Sequence, residues 1–269
     1  MSTRLVLNAL GAVQLVGAEG AELAAGQRKH LALLTWLARA GARGGARPVG
    51  REELAALFWG ERRDENARRS LRQALYQLKR VVGDGLEVEA ASVRLAHDAL
   101  VLDANLFEAD VLEGRYSNAV ARWRGELLAG AEGAGTSTYR AWLDGERARL
   151  RRLFDGASEA LVDDAIRRGE WVEAAAHAER WTSAVPDEER PLLRLLEVLA
   201  LARRTADALA HLAAFTARQR ADGGEPSAGL LAMRARLERR APPPAPVPSP
   251  RSAALFTPDM VGRAEAFAE

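Results

Sequence analysis

Residues 65–82 read Glu65-Asn66-Ala67-Arg68-Arg69-Ser70-Leu71-Arg72-Gln73-Ala74-Leu75-Tyr76-Gln77-Leu78-Lys79-Arg80-Val81-Val82, and Gly83-Asp84-Gly85 follows them. At about 100° per residue, Ala67, Leu71, Ala74, Leu75, Leu78, Val81 and Val82 fall within about 120° of one another, the pattern of a helix that buries one face. Opposite them lie Arg69, Arg72, Gln73, Tyr76 and Arg80, with Arg68, Gln77 and Lys79 on the flanks. No acidic residue stands between Asn66 and Val82. A solvated helix face normally mixes signs, because opposite charges four residues apart support the helix. An unbroken basic and amide face suits a helix that meets a polyanion. Arg pairs bidentately with guanine O6 and N7, and Gln with adenine N6 and N7. Tyr76 is suited to a thymine methyl or a phosphate.

The flanking sequence gives this helix its setting. Residues 4–16 and 86–102 read as short strands. Leu86–Glu89 and Val93–Leu95 alternate apolar and polar residues, joined through Ala90, Ala91 and Ser92 as a hairpin. Gln27–Ala40 and Arg51–Trp59 read as two further helices, with Pro48 ahead of the second. The order of strands, three helices and a hairpin is that of a winged helix-turn-helix. Helix 65–82 is then the recognition helix and the hairpin the wing. Arg51 opens the second helix, where backbone N–H groups favour a phosphate. Arg47 lies just before it, and Arg94 is on the wing. Arg28 and Lys29 oppose the dipole at the start of the first helix, a feature that hints at a partner. Trp59 reads as core. The candidate DNA-binding residues are Arg69, Arg72, Gln73, Tyr76 and Arg80, supported by Arg51, Arg94, Arg68, Lys79 and Arg47.

From Asp103 to about Arg240 the pattern is helical, with candidate helices at 103–112, 115–128, 138–168, 170–184, 189–203, 205–220 and 226–240. Glu173-Ala174-x-Ala176-His177-Ala178-x-x-Trp181 aligns with Asp207-Ala208-x-Ala210-His211-Leu212-x-x-Phe215 at an offset of 34. That offset is the tetratricopeptide period. Ala174 and Ala208 allow close helix packing, and Trp181 and Phe215 fill the gaps between pairs. The fold expected is mainly α with a small β component, a winged helix-turn-helix followed by a tetratricopeptide-like repeat domain. Residues 241–250 hold six of the eleven prolines and read as a semi-rigid linker.

Composition narrows the function. The 269 residues carry a net charge of +1, yet residues 1–100 hold 15 basic and 11 acidic side chains, while residues 103–240 hold 21 and 23. The excess of cations thus sits with the recognition helix. Arginine outnumbers lysine 36 to 2 and alanine reaches 55, a bias of GC-rich coding, so the placement of arginines informs and their number does not. The absence of cysteine excludes disulfides, thiol catalysis and thiolate zinc sites. No apolar run is long enough to span a membrane. Neither a Gly-Lys-Ser/Thr phosphate loop nor a Gly-x-Ser-x-Gly elbow occurs. His30, His97, His177 and His211 have no metal-binding spacing. The expectation is a cytoplasmic protein that is not an enzyme and uses no cofactor.

Several segments resemble the antibiotic-regulatory (SARP-type) transcriptional activators. They are Gln27–Leu34, Pro48–Leu54, Leu57-Phe58-Trp59-Gly60 and Asn66–Leu75, with Phe107-Glu108-Ala109, Tyr116–Val120, Arg124–Leu128 and Trp142-Leu143-Asp144-x-Glu146-Arg147. The resemblance implies a winged-helix DNA-binding domain over 1–102 and a bacterial transcriptional activation domain of tetratricopeptide-like helices over 103–240. A linker over 241–252 and a tail over 253–269 follow. It also implies double-stranded DNA bearing promoter direct repeats and RNA polymerase as partners, with self-association on DNA left open. Two departures stand out. Gly50 replaces the usual capping Ser or Thr of the second helix, and Ala131–Thr136 replaces a more apolar, tighter stretch. Val261-Gly262-Arg263-Ala264-Glu265 resembles the lead-in to nucleotide-binding domains of large signalling ATPases. Two alternatives therefore accompany a DNA-binding regulator: a helical-repeat interaction or signalling module, and the N-terminal part of an ATPase-controlled regulator.

Overall fold

The protein is described from a computed structural model covering residues 5–17, 20–23, 26–44, 48–60 and 65–240. Arg47, the proline-rich segment and the tail lie outside these residues.

The N-terminal stretch divides into β1 (Leu5–Asn8) and β2 (Gln14–Val16), which pair antiparallel. Gly11, at φ +92°, sits in the turn between them, where a side chain would collide with the Arg124 carbonyl. Three helices follow: α1 (Arg28–Gly44), α2 (Arg51–Trp59) and α3 (Glu65–Val82). A short strand that the sequence reading did not anticipate, β3 (Val49–Gly50), precedes α2. It pairs with β5 (Ser92–Leu95), which pairs in turn with β4 (Leu86–Val88), so the wing is a three-stranded antiparallel sheet in the order β3-β5-β4. β6 (Leu100–Leu102) returns parallel to β1 and completes a second sheet, β2-β1-β6.

The helical region comprises α4 (Asp103–Leu112), α5 (Tyr116–Arg122), α6 (Ser137–Arg168), α7 (Trp171–Ala184), α8 (Glu189–Leu201), α9 (Thr205–Ala221) and α10 (Ala228–Arg240). α7 and α9 begin 34 residues apart, as the repeat requires. Ala174, Ala208, Trp181 and Phe215 are all buried. One expectation is corrected. The helix expected over 115–128 ends at Arg122, and the chain then runs back along the N-terminus. Leu127 bridges Leu10, Ala129 bridges Ala12, and the Leu128 amide donates to the Ala9 carbonyl at 2.7 Å. Leu128 adopts φ +55°, held there by that bond and by Arg147, whose guanidinium donates to the Leu127 and Leu128 carbonyls.

Ala131–Thr136 is also tighter than expected. Ala131 and Ala134 are buried, and the Thr136 amide and hydroxyl both donate to the Leu57 carbonyl at the end of α2. Gly135 has no room for a side chain: an added Cβ would lie 2.6 Å from Tyr139 Cβ and 2.9 Å from the Leu57 carbonyl oxygen. The ring of Tyr139 packs on Phe58 at 5.0 Å.

The buried side chains form two clusters. One runs from Leu7 through the three N-terminal helices and the wing into α4, α5 and the first part of α6, and takes in Trp181 and Val185 at the end of α7. The other runs from Val162 to Leu237. The 32-residue α6 passes through both. The first cluster encloses a charged core. Arg39 of α1 is 1 % exposed. Its guanidinium donates to Glu146 of α6 at 2.8 and 3.1 Å, to Glu108 of α4 at 2.8 and 2.9 Å, and to Asn105 at 2.6 Å. Arg149 pairs with the same two glutamates, so two cations meet two anions. Nearby, buried Asp103 accepts the amides of Ala9 and Leu10 and a guanidinium N–H of Arg124. Asp110 is buried between Arg115 and Arg122. Burial alone would push its carboxyl pKa up, but hydrogen bonds from Arg122 at 2.6 Å and Arg115 at 2.7 Å outweigh that and hold it below the ordinary Asp range.

Three outcomes are expected. Arg39→Ala removes the buried cation that Glu108 and Glu146 share with Arg149 and lowers unfolding free energy by about 3 kcal/mol, read by denaturant titration. Gly135→Ala costs about 1–3 kcal/mol by the same assay, because backbone is among the atoms it strikes. Asp110 contributes stability that is present above the usual Asp range and is lost as pH falls through its lowered pKa. Acid unfolding of Asp110→Asn should therefore be less steep in pH than that of the parent protein.

Candidate nucleic-acid interface

α3 buries Ala67, Leu71, Ala74, Leu75, Leu78 and Val82, and leaves Val81 half-buried. Its outer face carries Arg69, Arg72, Gln73, Tyr76 and Arg80, all exposed, with Tyr76 at 63 %. These positions step by three, one, three and four residues, so they form a single stripe about 16 Å long. Among the described residues, none of the five side chains makes a hydrogen bond or ion pair. The stripe therefore presents three guanidinium groups, an amide and a phenol to solvent with their donors open.

The supporting residues behave differently. Arg94 stands directly across the wing from Glu87 and binds its carboxylate with both prongs, at 2.8 and 2.7 Å. Lys79 donates to the Leu86 carbonyl at 2.8 Å and lies 3.6 Å from Asp84, fastening the end of α3 to the start of the wing. Arg51 donates from its backbone amide to the Ala91 carbonyl at 2.9 Å and from its side chain to the Glu89 carbonyl at 3.1 Å. Arg68 pairs with Glu52 at 2.9 Å. The structure thus brings nine of the ten candidates to α3, the start of α2 and the wing, and it separates five free groups from four already engaged. Arg47 lies outside the described residues.

Two local puzzles resolve in this geometry. Gly50 offers no capping side chain to α2, and the wing supplies the cap instead: the Ala91 carbonyl takes the first free amide. Lys29 does not await a partner at the start of α1. Its ammonium donates to the Phe58 carbonyl at 3.0 Å, at the negative end of α2, and lies 5.0 Å above the Trp59 ring. Burial lowers its pKa. The residue that sequence reasoning missed is Glu52. Nothing in the linear pattern pairs it with Arg68, because the contact exists only once α2 packs on α3.

Other chemistry is sparse. His177 faces Glu173 at 3.4 Å, and among the described residues no group of three or more His, Cys, Asp or Glu side chains could hold a metal ion. Among these residues, no helix is long and apolar enough to cross a membrane.

Comparison with known proteins gives a domain match and a likeness of fold. Residues 114–238 match the model of the bacterial transcriptional activator domain. No curated protein matches the chain. Among solved structures, the chain resembles EmbR of Mycobacterium tuberculosis, in a complex with a low-affinity phosphopeptide. The TM-score is 0.59 and the identity 23 %, over 89 % of this chain and 66 % of the EmbR chain. The chain thus spans just under two thirds of that relative, and the likeness is one of fold. Residues 114–238 match that family model, and the chain shares its fold with EmbR, with a winged helix-turn-helix ahead of the matched residues.

Proposed function

We propose that this chain is a SARP-type transcriptional activator that binds duplex DNA in a sequence-specific manner through α3. The observation that carries the reading is the stripe Arg69, Arg72, Gln73, Tyr76 and Arg80, exposed and without side-chain partners among the described residues, on a helix whose other face is core. A helix fits the major groove, which is about 12 Å wide and displays the donors and acceptors that Arg and Gln read. In this reading Arg69, Arg72 and Gln73 face base edges, and Tyr76 and Arg80 a base or the backbone. Arg51, Arg68, Lys79 and Arg94 set the geometry of the wing and of α2 and contact phosphates secondarily.

The helical region then acts towards protein. Activation by RNA polymerase recruitment fits a domain that buries its own repeat faces and leaves single apolar side chains such as Leu112 and Val172 outside. Promoter direct repeats as the target, a division into units at 102/103, and action in the cytoplasm belong to the same proposal. An exposed apolar anchor is what a protein-docking reading of α3 would need. Only Tyr76 qualifies on the stripe, which favours DNA.

The test is selection of duplexes from a randomised library by the whole chain, followed by binding of variants to the enriched sequence and to random DNA. Enrichment of one motif is expected. Arg69→Ala and Arg72→Ala should each weaken binding to it by about 1–3 kcal/mol and change random-DNA binding much less. Equal losses on both DNAs would reassign these arginines to phosphates. Failure to enrich any motif would overturn the reading in favour of a protein-interaction module.

A further inference from the structure

Among the described residues, Arg68 is the arginine beside the stripe whose charge is matched by a carboxylate on another helix. It lies one turn before Arg72 on α3 and pairs with Glu52, in the first turn of α2, at 2.9 Å. Arg51, Glu52, Arg68, Leu71, Arg72 and Ala91 surround one surface hollow, so the hollow is continuous with the stripe through Arg72. Leu71 is buried at its base. Of the three guanidinium groups here, that of Arg72 is free among the described residues, and that of Arg51 meets only a neutral carbonyl. Among the described residues that line the hollow, Glu52 is the one with a negative charge, and the rest suit an anion.

The pair is accessible on both sides, with side-chain exposures of 50 % and 67 %. An ion pair open to water is weak and exchanges readily. A phosphate oxygen offers Arg68 the same charge-assisted bonds that the Glu52 carboxylate gives. DNA seated at the hollow therefore competes with Glu52 for Arg68. That competition is won only where base contacts by the neighbouring Arg69, Arg72 and Gln73 hold the duplex close.

We propose that Glu52 is a specificity-determining residue: it holds Arg68 away from the phosphate backbone that all DNA sequences share, and yields it only in the closely seated complex with the correct sequence. The proposal rests on the DNA-binding reading of α3. Glu52 thereby weakens binding to every wrong sequence and leaves binding to the right one nearly intact.

The experiment is fluorescence anisotropy of the whole chain on a library-selected duplex and on its scrambled counterpart, over a range of salt. The parent protein is compared with Glu52→Gln, with Glu53→Gln and with Glu52→Gln/Arg68→Gln. Glu53→Gln makes the same change in net charge one residue away, at an exposed side chain with no partner among the described residues. Glu52→Gln should bind the scrambled duplex about two- to five-fold more tightly at 0.1 M salt, with a log–log salt slope steeper by up to about 0.9, the value of one added phosphate contact. On the selected duplex the slope should stay as it is, so the ratio between the two duplexes falls. Adding Arg68→Gln should abolish the gain. Thermal midpoints of the variants check that the fold is retained.

Equal behaviour of Glu52→Gln and Glu53→Gln on scrambled DNA would overturn the proposal. So would weaker binding of Glu52→Gln to both duplexes, since Glu52 would then position Arg68 for DNA instead of withholding it. If the parent protein itself binds neither duplex, the DNA-binding reading fails, and this proposal with it.

Discussion

Arg39 is a full charge at 1 % exposure, and the structure around it is arranged to make that tolerable. Removing an ion from water costs several kcal/mol even after relaxation. The cost is offset only if the charge is matched and its donors are used. Glu108, Glu146 and Asn105 do this, and Arg149 balances the second glutamate. The partners come from α4 and α6, whereas Arg39 comes from α1. A winged helix free to swing on its neighbour would expose the whole cluster. The packing instead continues across Leu102 and Asp103 without a break, and the helical region holds α1 and α2, on which α3 packs. Asp103 and the Thr136–Leu57 bonds reinforce the same junction from two other sides.

The arginines of this chain therefore fall into distinct classes. Arg39 is buried and structural, and Arg147 is largely so. Arg51, Arg68, Arg94 and Arg124 are tethered at the surface to carboxylates or carbonyls. Arg69, Arg72 and Arg80 have no side-chain partner among the described residues, and they lie together on one helix face. In an arginine-rich protein the count of cations carries little meaning. A run of cations with no internal partner does, because an unpaired guanidinium keeps its donors available for a ligand.

Local periodicity made α2 and α3 legible to the residue, since their signals lie within one segment: a repeating apolar face, Pro48 before one helix and Gly83 after the other. The 34-residue repeat was legible for the same reason. The failures share a cause too. Residues 123–128 continue a helix-like apolar pattern, yet they leave the helix and bend along Ala9 and Gly11, with which they hydrogen-bond across more than a hundred residues. Arg39 looks like an ordinary polar position at the edge of an amphipathic helix, and its partners lie 66 to 107 residues along the chain. Gly135 looks like loop punctuation and is in fact a close approach to α2. At the interface, residue type identified the free stripe. Which flanking cations are engaged depends on cross-strand register for Arg94 and on helix packing for Arg68, and neither is written in the spacing of one segment.

The central claim is that α3 presents an open cationic stripe to DNA. The most direct test is to titrate salt while following anisotropy of labelled duplex from the region upstream of the chain's own gene, with a scrambled duplex as reference. The account predicts binding that weakens with a log–log slope of several units and that exceeds binding to the scrambled duplex at every salt concentration. Absence of binding to either duplex at low salt would contradict it, and the exposed apolar side chains of the helical region would then be the place to seek a partner.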